Sequence, residues 1–275
     1  MAMGRVLVIA GSDSGGGAGI QADIKSVMAM GGYAMTALAA LTAQNTRGVT
    51  AVLVVPPDFL RAQIDAVMED IGADAVKTGM LPDTASIEVV ADFLDTQSPR
   101  LPFVMDPVMV ATSGDRLQSA EALAALRTRL LPRATVITPN IPEAELLLGR
   151  KIVDEAGQRQ AAQALLETGA QAVLVKGGHL PGDWVTDLLA TRHDMVAIGG
   201  KRIDSTSTHG TGCTLASAIA AGLAQGMALE PAIRRARAYV AAAIAAAPGL
   251  GHGHGPLDHG VTVDPARIAA LTTAP

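Results

Sequence analysis

The sequence predicts an α/β protein, a mostly parallel central sheet with helices packed on both faces. Three observations predict it. Short β-branched runs alternate with longer stretches of helical spacing, the pattern of strands joined by crossover helices. Several strand runs are continuously apolar rather than alternating, as strands covered on both faces require. The chain has 275 residues, 49% of them hydrophobic and 17% charged, ample material for one buried core.

Taken in order, the expected strands are residues 6–10, 33–41, 49–55, 75–78, 103–106, 136–138 and 173–176. Between them, residues 18–30 carry an apolar stripe of Ile20, Ile24, Val27 and Met28 that Gly31 and Gly32 end. Residues 58–71 do the same with Leu60, Ile64, Val67, Met68 and Ile71, and Asp58 is expected to cap their start. Further helices are expected over 83–94, 119–131, 154–167, 212–225 and 230–247. Polar punctuation makes 184–191 and 195–198 a hairpin or edge-strand pair, and the Gly/His/Pro-rich stretch 248–260 a loop. No linker divides the chain and no solenoid period repeats in it, so residues 1–275 read as a single domain.

Composition narrows the function. Lys and Arg number 21 against 26 Asp and Glu, a net charge of −5, opposite to what a phosphate-backbone binder carries. Aromatic residues at 2% leave no stacking platforms for bases. The single cysteine, Cys213, excludes an intrachain disulfide and gives secretion no support. The N-terminal apolar run is too short for a signal-peptide core or a membrane span, so a cytoplasmic protein is expected.

In open parallel sheets, ligands bind beyond the carboxyl ends of the strands. Six apolar runs here hand over to polar or glycine residues at that end: Gly11-Ser12-Asp13, Thr42-Ala43-Gln44, Thr78-Gly79-Met80, Asp106-Pro107, Thr138-Pro139-Asn140 and Lys176-Gly177-Gly178. A scaffold has no need of that regularity, which argues for a site along one sheet edge. The glycine-rich segment 11–19 fits neither a dinucleotide fingerprint nor a Walker A loop, since position 20 is Ile and no Gly-Lys-Ser/Thr closes it. It reads either as a close-packing turn or as a backbone passing near a small ligand. Asp23, one turn into the following helix, leans back toward it. The run from Ser205 to Thr214, with Gly210 and Gly212 before an apolar-striped helix, suits an anion pocket of backbone amides at a helix start. A polar N-cap is the plainer alternative. Asn140-Ile141-Pro142-Glu143 is likewise a capping signature as well as a candidate for chemistry. His252, His254 and His259 lie in a glycine loop without a matching ligand cluster and read as a lid or turn.

Together these segments resemble the ribokinase-like superfamily, and within it the hydroxymethylpyrimidine/phosphomethylpyrimidine kinases of thiamine biosynthesis. The resemblance runs from Val6 to His259. It rests on Ala10 through Asp23, Ala43-Gln44-Asn45-Thr46-Arg47-Gly48, Lys77-Thr78-Gly79-Met80-Leu81, Asp106-Pro107-Val108-Met109, Thr138 through Ala144, Lys176-Gly177-Gly178-His179, His209 through Thr214, and Gly251 through Pro256. It implies a ribokinase-like three-layer α/β/α fold, ATP as phosphoryl donor, Mg²⁺, and a homodimer. It also implies transfer of the γ-phosphoryl group to 4-amino-5-hydroxymethyl-2-methylpyrimidine and then to its monophosphate.

By the same resemblance Gln44 bonds the pyrimidine, with Gly11, Asp23 and Met80 completing its pocket. Gly210, Gly212 and Cys213 form the anion hole, Lys176 with Asp106 serves the nucleotide phosphates, and Asn140 with Glu143 organises Mg²⁺, through water. Cys213 stands where most of the superfamily carries an aspartate base. A helix dipole there is expected to lower its thiol from about 8.5 and favour a thiolate; an inert residue under the hydroxyl is the competing view. A pyridoxal or pyridoxamine kinase is the rival enzyme, and a non-catalytic small-molecule sensor the rival from another class.

Overall fold

The computed structural model describes residues 3–109 and 119–266; the rest of the expected domain lies outside the described residues. Its strands are β1 (Arg5–Asp13), β2 (Tyr33–Asn45), β3 (Gly48–Val54), β4 (Ala75–Thr78), β5 (Phe103–Met105), β6 (Val136–Ile137), β7 (Ala172–Val175), β8 (Trp184–Thr191) and β9 (Met195–Lys201). They form one sheet in the order β3-β2-β1-β4-β5-β6-β7-β8-β9. From β2 to β7 every neighbouring pair is parallel, and both edges are closed by antiparallel partners. β3, which the alternation presents as one more crossover strand, is antiparallel to β2, because only Thr46 and Arg47 stand between the two.

The pleat of β1 divides the core. Val6, Val8 and Ala10 face a layer built from α1 (Gly19–Ala29), α7 (Thr211–Ala224) and α8 (Leu229–Ala245). Leu7 and Ile9 face the opposite layer of α2 (Pro57–Asp70), α3 (Thr84–Asp95), α4 (Ala120–Ala125), α5 (Ile141–Leu148) and α6 (Glu155–Leu166). This accounts for the continuously apolar strands: both of their faces are buried. α7 is Ala-rich and buried nearly all round because it is packed between the sheet, α1 and α8.

Helix starts follow local chemistry, with two corrections. Asp83, Ser119 and Asp154 each cap a helix by accepting from a backbone amide three residues on. Asp58 does not cap α2; Pro57 takes the first helical position, leaving Asp58 inside the first turn, where it accepts from Phe59 N. The helix expected over 119–131 is α4 followed by a wider π turn (Leu126–Leu130) and a 3₁₀ turn (Leu131–Arg133), where Pro132 removes a donor. Among the described residues no helix is long and apolar enough to cross a membrane.

Candidate active site

Because β2, β1, β4, β5, β6 and β7 run parallel, their carboxyl ends share one edge of the sheet. β2 lies on one side of β1 and β4 on the other, so the winding reverses there and opens a crevice between them. Gly11 and Met80 meet across it: a Cβ at Gly11 would sit 2.5 Å from the Met80 methyl carbon. Gln44, at the end of β2, has its amide oxygen 3.1 Å from the Thr42 hydroxyl and its amide nitrogen 3.3 Å from His209 Nε2. The β2 end and the glycine segment leading into α7 are therefore in contact, although 165 residues separate Gln44 from His209.

The start of α7 is built for close approach. Gly210 is its N-cap residue, in the left-handed region at φ 80°, and no side chain caps the helix. A Cβ at Gly210 would overlap the Gly17 carbonyl oxygen, so the two glycine segments pack backbone to backbone. At Gly212 a Cβ would lie 3.1 Å from Lys176 Nζ and 3.4 Å from Asp106 Oδ2. An uncapped helix start beside an ammonium group can receive an anion.

Lys176, just past β7, lies 3.2 Å from Asp106 Oδ1 and 3.9 Å from Glu143 Oε2. Burial works against its charge, but the two carboxylates outweigh it and hold the ammonium above the ordinary lysine range. The Thr138 hydroxyl donates to Asp106 Oδ1 at 2.9 Å. Asn140 and Glu143 form a complete capping box on α5: Asn140 Oδ1 accepts from Glu143 N, and Glu143 Oε2 accepts from Asn140 N. Burial, only partly offset by Lys176 and reinforced by Asp106, pushes the Glu143 carboxyl up to about 7.

Asp23 lies elsewhere. It does not lean over the glycine segment; it is fully buried on α1, where Asp23 Oδ1 accepts from Lys77 Nζ at 2.7 Å and from the Ser217 hydroxyl at 2.6 Å. Its other oxygen, Oδ2, has no hydrogen-bond partner among the described residues. Cys213 also departs from expectation. Burial pushes its thiol up to about 12; the nearby Lys77 opposes the rise, while Asp23 and Asp106 add to it. At this helix start, burial and two carboxylates outweigh the dipole.

Asp13 and His209, to which the sequence alone assigns no role, join the two glycine segments. Asp13 accepts from the amides of Gly15, Gly17 and Ala18 and lies 2.9 Å from His209 Nε2. Burial raises the Asp13 carboxyl, but the His209 and amide bonds prevail and hold it below the usual aspartate range. Asp before a glycine run is a local turn signal that could have singled it out. The loop after α8 closes over the same edge: Thr46 O accepts from His254 N, while His252 and His254 are exposed.

Residues 13–258 match the profile of the phosphomethylpyrimidine kinase family. The chain belongs to this family. It is 52% identical over 256 residues to the hydroxymethylpyrimidine/phosphomethylpyrimidine kinase of Rhizobium meliloti, covering 92% of this chain and 96% of that one. It is 51% identical over 267 residues to a bifunctional thiamine-biosynthesis protein of Geobacter sulfurreducens, covering 96% of this chain but spanning only 54% of that relative's length. The fold matches Bacillus subtilis pyridoxal kinase, solved as an ADP complex, with TM-score 0.87 and 37% identity over 94% of this chain and 98% of that one. It matches the phosphomethylpyrimidine kinase of Clostridium difficile with TM-score 0.77 and 40% identity over 86% of this chain and 97% of that one. The phosphomethylpyrimidine kinase family thus accounts for the ribokinase-like α/β/α architecture.

Proposed function

We propose that this protein transfers the γ-phosphoryl group of ATP to the primary hydroxyl of 4-amino-5-hydroxymethyl-2-methylpyrimidine, and then phosphorylates the monophosphate to the diphosphate. The observation that carries the reading is the contact of Gln44 with the segment opening α7. A ring held at Gln44 has its hydroxymethyl group beside the uncapped helix start, with Lys176 adjoining. The Gln44 amide donates and accepts at once, as an aminopyrimidine edge requires. Gly11 and Met80 border the same crevice, and Asp23, buried on α1, is held by Lys77 and Ser217.

In the transfer, the alcohol oxygen bonds to the γ-phosphorus as the bond to the bridging oxygen of ADP breaks, and the alcohol proton passes to a phosphoryl oxygen or to water as the new bond forms. The amides of Gly212 and Cys213 and the Lys176 ammonium meet charge that spreads over the migrating phosphoryl oxygens. Such reactions depend on positioning more than on a strong base, which suits an uncharged thiol at Cys213. Mg²⁺ fits the chemistry of the donor set: two buried carboxylates, Asp106 and Glu143, share one ammonium, that of Lys176. Among the described residues no cluster of three or more His, Cys, Asp or Glu could hold a metal. Asn140 and Glu143, with Asp106 beside them, would hold the ion through water, and the ion would neutralise phosphate charge.

Several solved relatives are titled pyridoxal kinases, one with AMP-PCP and pyridoxal bound, and these favour ATP as donor and keep pyridoxal as a second reading. The reading includes a cytoplasmic homodimer, to which the exposed Val52, Leu53 and Val54 on the edge strand β3 lend support. Purified enzyme with ATP and Mg²⁺ should phosphorylate the hydroxymethylpyrimidine and its monophosphate at kcat/KM at least about tenfold above pyridoxal, read by mass spectrometry. Preference for pyridoxal would reverse the assignment, and ligand binding without ADP release would make the protein a sensor.

A further inference from the structure

His209 joins the glycine turn to the residue proposed to read the ring. Its Nε2 lies 2.9 Å from Asp13 Oδ2 and 3.3 Å from Gln44 Nε2, and the ring is buried. A carboxylate accepts only, so the contact with Asp13 requires the His209 proton on Nε2. That nitrogen then has no lone pair to accept from the Gln44 amide nitrogen 3.3 Å away, so its N–H calls for the amide oxygen on this side and the amide nitrogen toward Thr42. The other end of the amide meets the Thr42 hydroxyl oxygen, which also lies 2.8 Å from the Ser12 carbonyl oxygen and has a single proton to donate. The ring itself is wedged in place: a Cβ at Gly17 would sit 2.6 Å from His209 Cδ2, and His209 N donates to Gly255 O at 3.1 Å.

We infer that His209, its tautomer set by Asp13, is a positioning residue that fixes which end of the Gln44 amide is offered to the ring, and so which heterocycle edge the site accepts. The inference rests on the proposed pyrimidine kinase reading and adds a specificity determinant to it. His209 sits one residue before Gly210, so the same ring ties the orientation of Gln44 to the start of α7.

Two substitutions separate this role from a plain steric brace. His209→Phe keeps a ring and loses the N–H; His209→Gln loses the ring and keeps an N–H that can reach Asp13. The inference expects His209→Phe to lower kcat/KM for hydroxymethylpyrimidine about tenfold or more, chiefly through KM, with KM for ATP unchanged within about twofold, and His209→Gln to restore most of it. In a Gln44→Ala background the His209→Phe change should cost less than about twofold, because its effect passes through Gln44. Thermal stabilisation by ADP identifies folded protein, and His209→Ala takes the place of His209→Phe should the latter fail to fold. Retained activity in His209→Phe with loss in His209→Gln, or losses that multiply independently of Gln44, overturns the inference. Wild-type enzyme inactive on the pyrimidine would remove the functional reading and the inference together, whereas active wild type with independent losses would remove the inference alone.

Discussion

Lys77 Nζ lies 2.7 Å from Asp23 Oδ1, and neither side chain is exposed at all. Lys77 comes from β4, Asp23 from α1 and the Ser217 hydroxyl that joins them from α7, so the triad pins two helices to the sheet directly beneath the candidate site. Breaking such a pair leaves a buried charge uncompensated, whereas replacing both partners by apolar groups of similar size can be close to neutral. Lys77→Met should therefore lower unfolding free energy by about 3–5 kcal/mol, and Lys77→Met with Asp23→Leu should recover most of that loss. Urea titrations with unchanged m-values check it. A double variant no more stable than the single would mean that the charges themselves, and not their pairing, hold the helices.

Gly210 and Gly212 separate folding from chemistry. At Gly210 a side chain faces both a left-handed backbone and the Gly17 carbonyl, neither of which can yield without moving a loop. Gly210→Ala should destabilise the protein by about 2 kcal/mol or more and abolish activity with it. At Gly212 the neighbours are side-chain ends, the Lys176 ammonium and the Asp106 carboxylate, rather than backbone. Gly212→Ala should fold with a melting temperature near wild type yet lose about a hundredfold in kcat/KM for ATP, by intruding on the proposed phosphate site. Normal turnover in Gly212→Ala would move that site elsewhere.

The difference between these two glycines could not be read from sequence, and it marks how far sequence carries. The parallel sheet, its two helix layers and six of its strand ends were legible because they follow from local periodicity and from what stands after each strand. The capping box at Asn140 and Glu143 was legible for the same reason, its partners being three residues apart. Asp23 was not: a fully buried aspartate and an exposed one look alike on a helix until Lys77, fifty-four positions away, is placed beside it. Asp13 and His209 meet across 196 positions, beyond the reach of any spacing rule. The Cys213 thiol went astray because the dipole is a property of its own helix, while the burial and carboxylates that outweigh it come from other elements.

Glu143 gives the protein a pH dependence whose sign is fixed. Its carboxyl rises from 4.5 to about 7 on folding, so between those values the folded state holds a proton that the unfolded chain has released. This group's contribution to stability is full below 4.5, is lost as pH rises toward 7, and is flat above it. The slope it adds is at most about 1.4 kcal/mol per pH unit. His259, lowered to about 4 chiefly by burial, works in the opposite direction over part of the same range, so the comparison must be differential. Glu143→Gln, which keeps the capping geometry, should remove the falling slope in urea midpoints measured from pH 5 to 8. Equal slopes in both proteins would show that Glu143 titrates as an ordinary glutamate.

With its thiol pushed up to about 12, Cys213 is uncharged throughout the working range of an enzyme at neutral pH. A base must be largely deprotonated, or close to it, to take the alcohol proton. In a loose phosphoryl transfer the oxygen becomes acidic only as its bond to phosphorus forms, so a strong base has little to accelerate. Cys213→Ala should therefore retain turnover within about tenfold of wild type, under about 1.4 kcal/mol. The thiol itself can be followed: alkylation by iodoacetamide should accelerate about tenfold per pH unit up to pH 9 with no plateau, since the thiolate fraction keeps growing. A plateau near pH 7, or a thousandfold loss of turnover in Cys213→Ala, would restore the thiolate base expected from the helix dipole. Lys77 and Lys176 would then be the groups to examine, because their ammonium groups favour the thiolate.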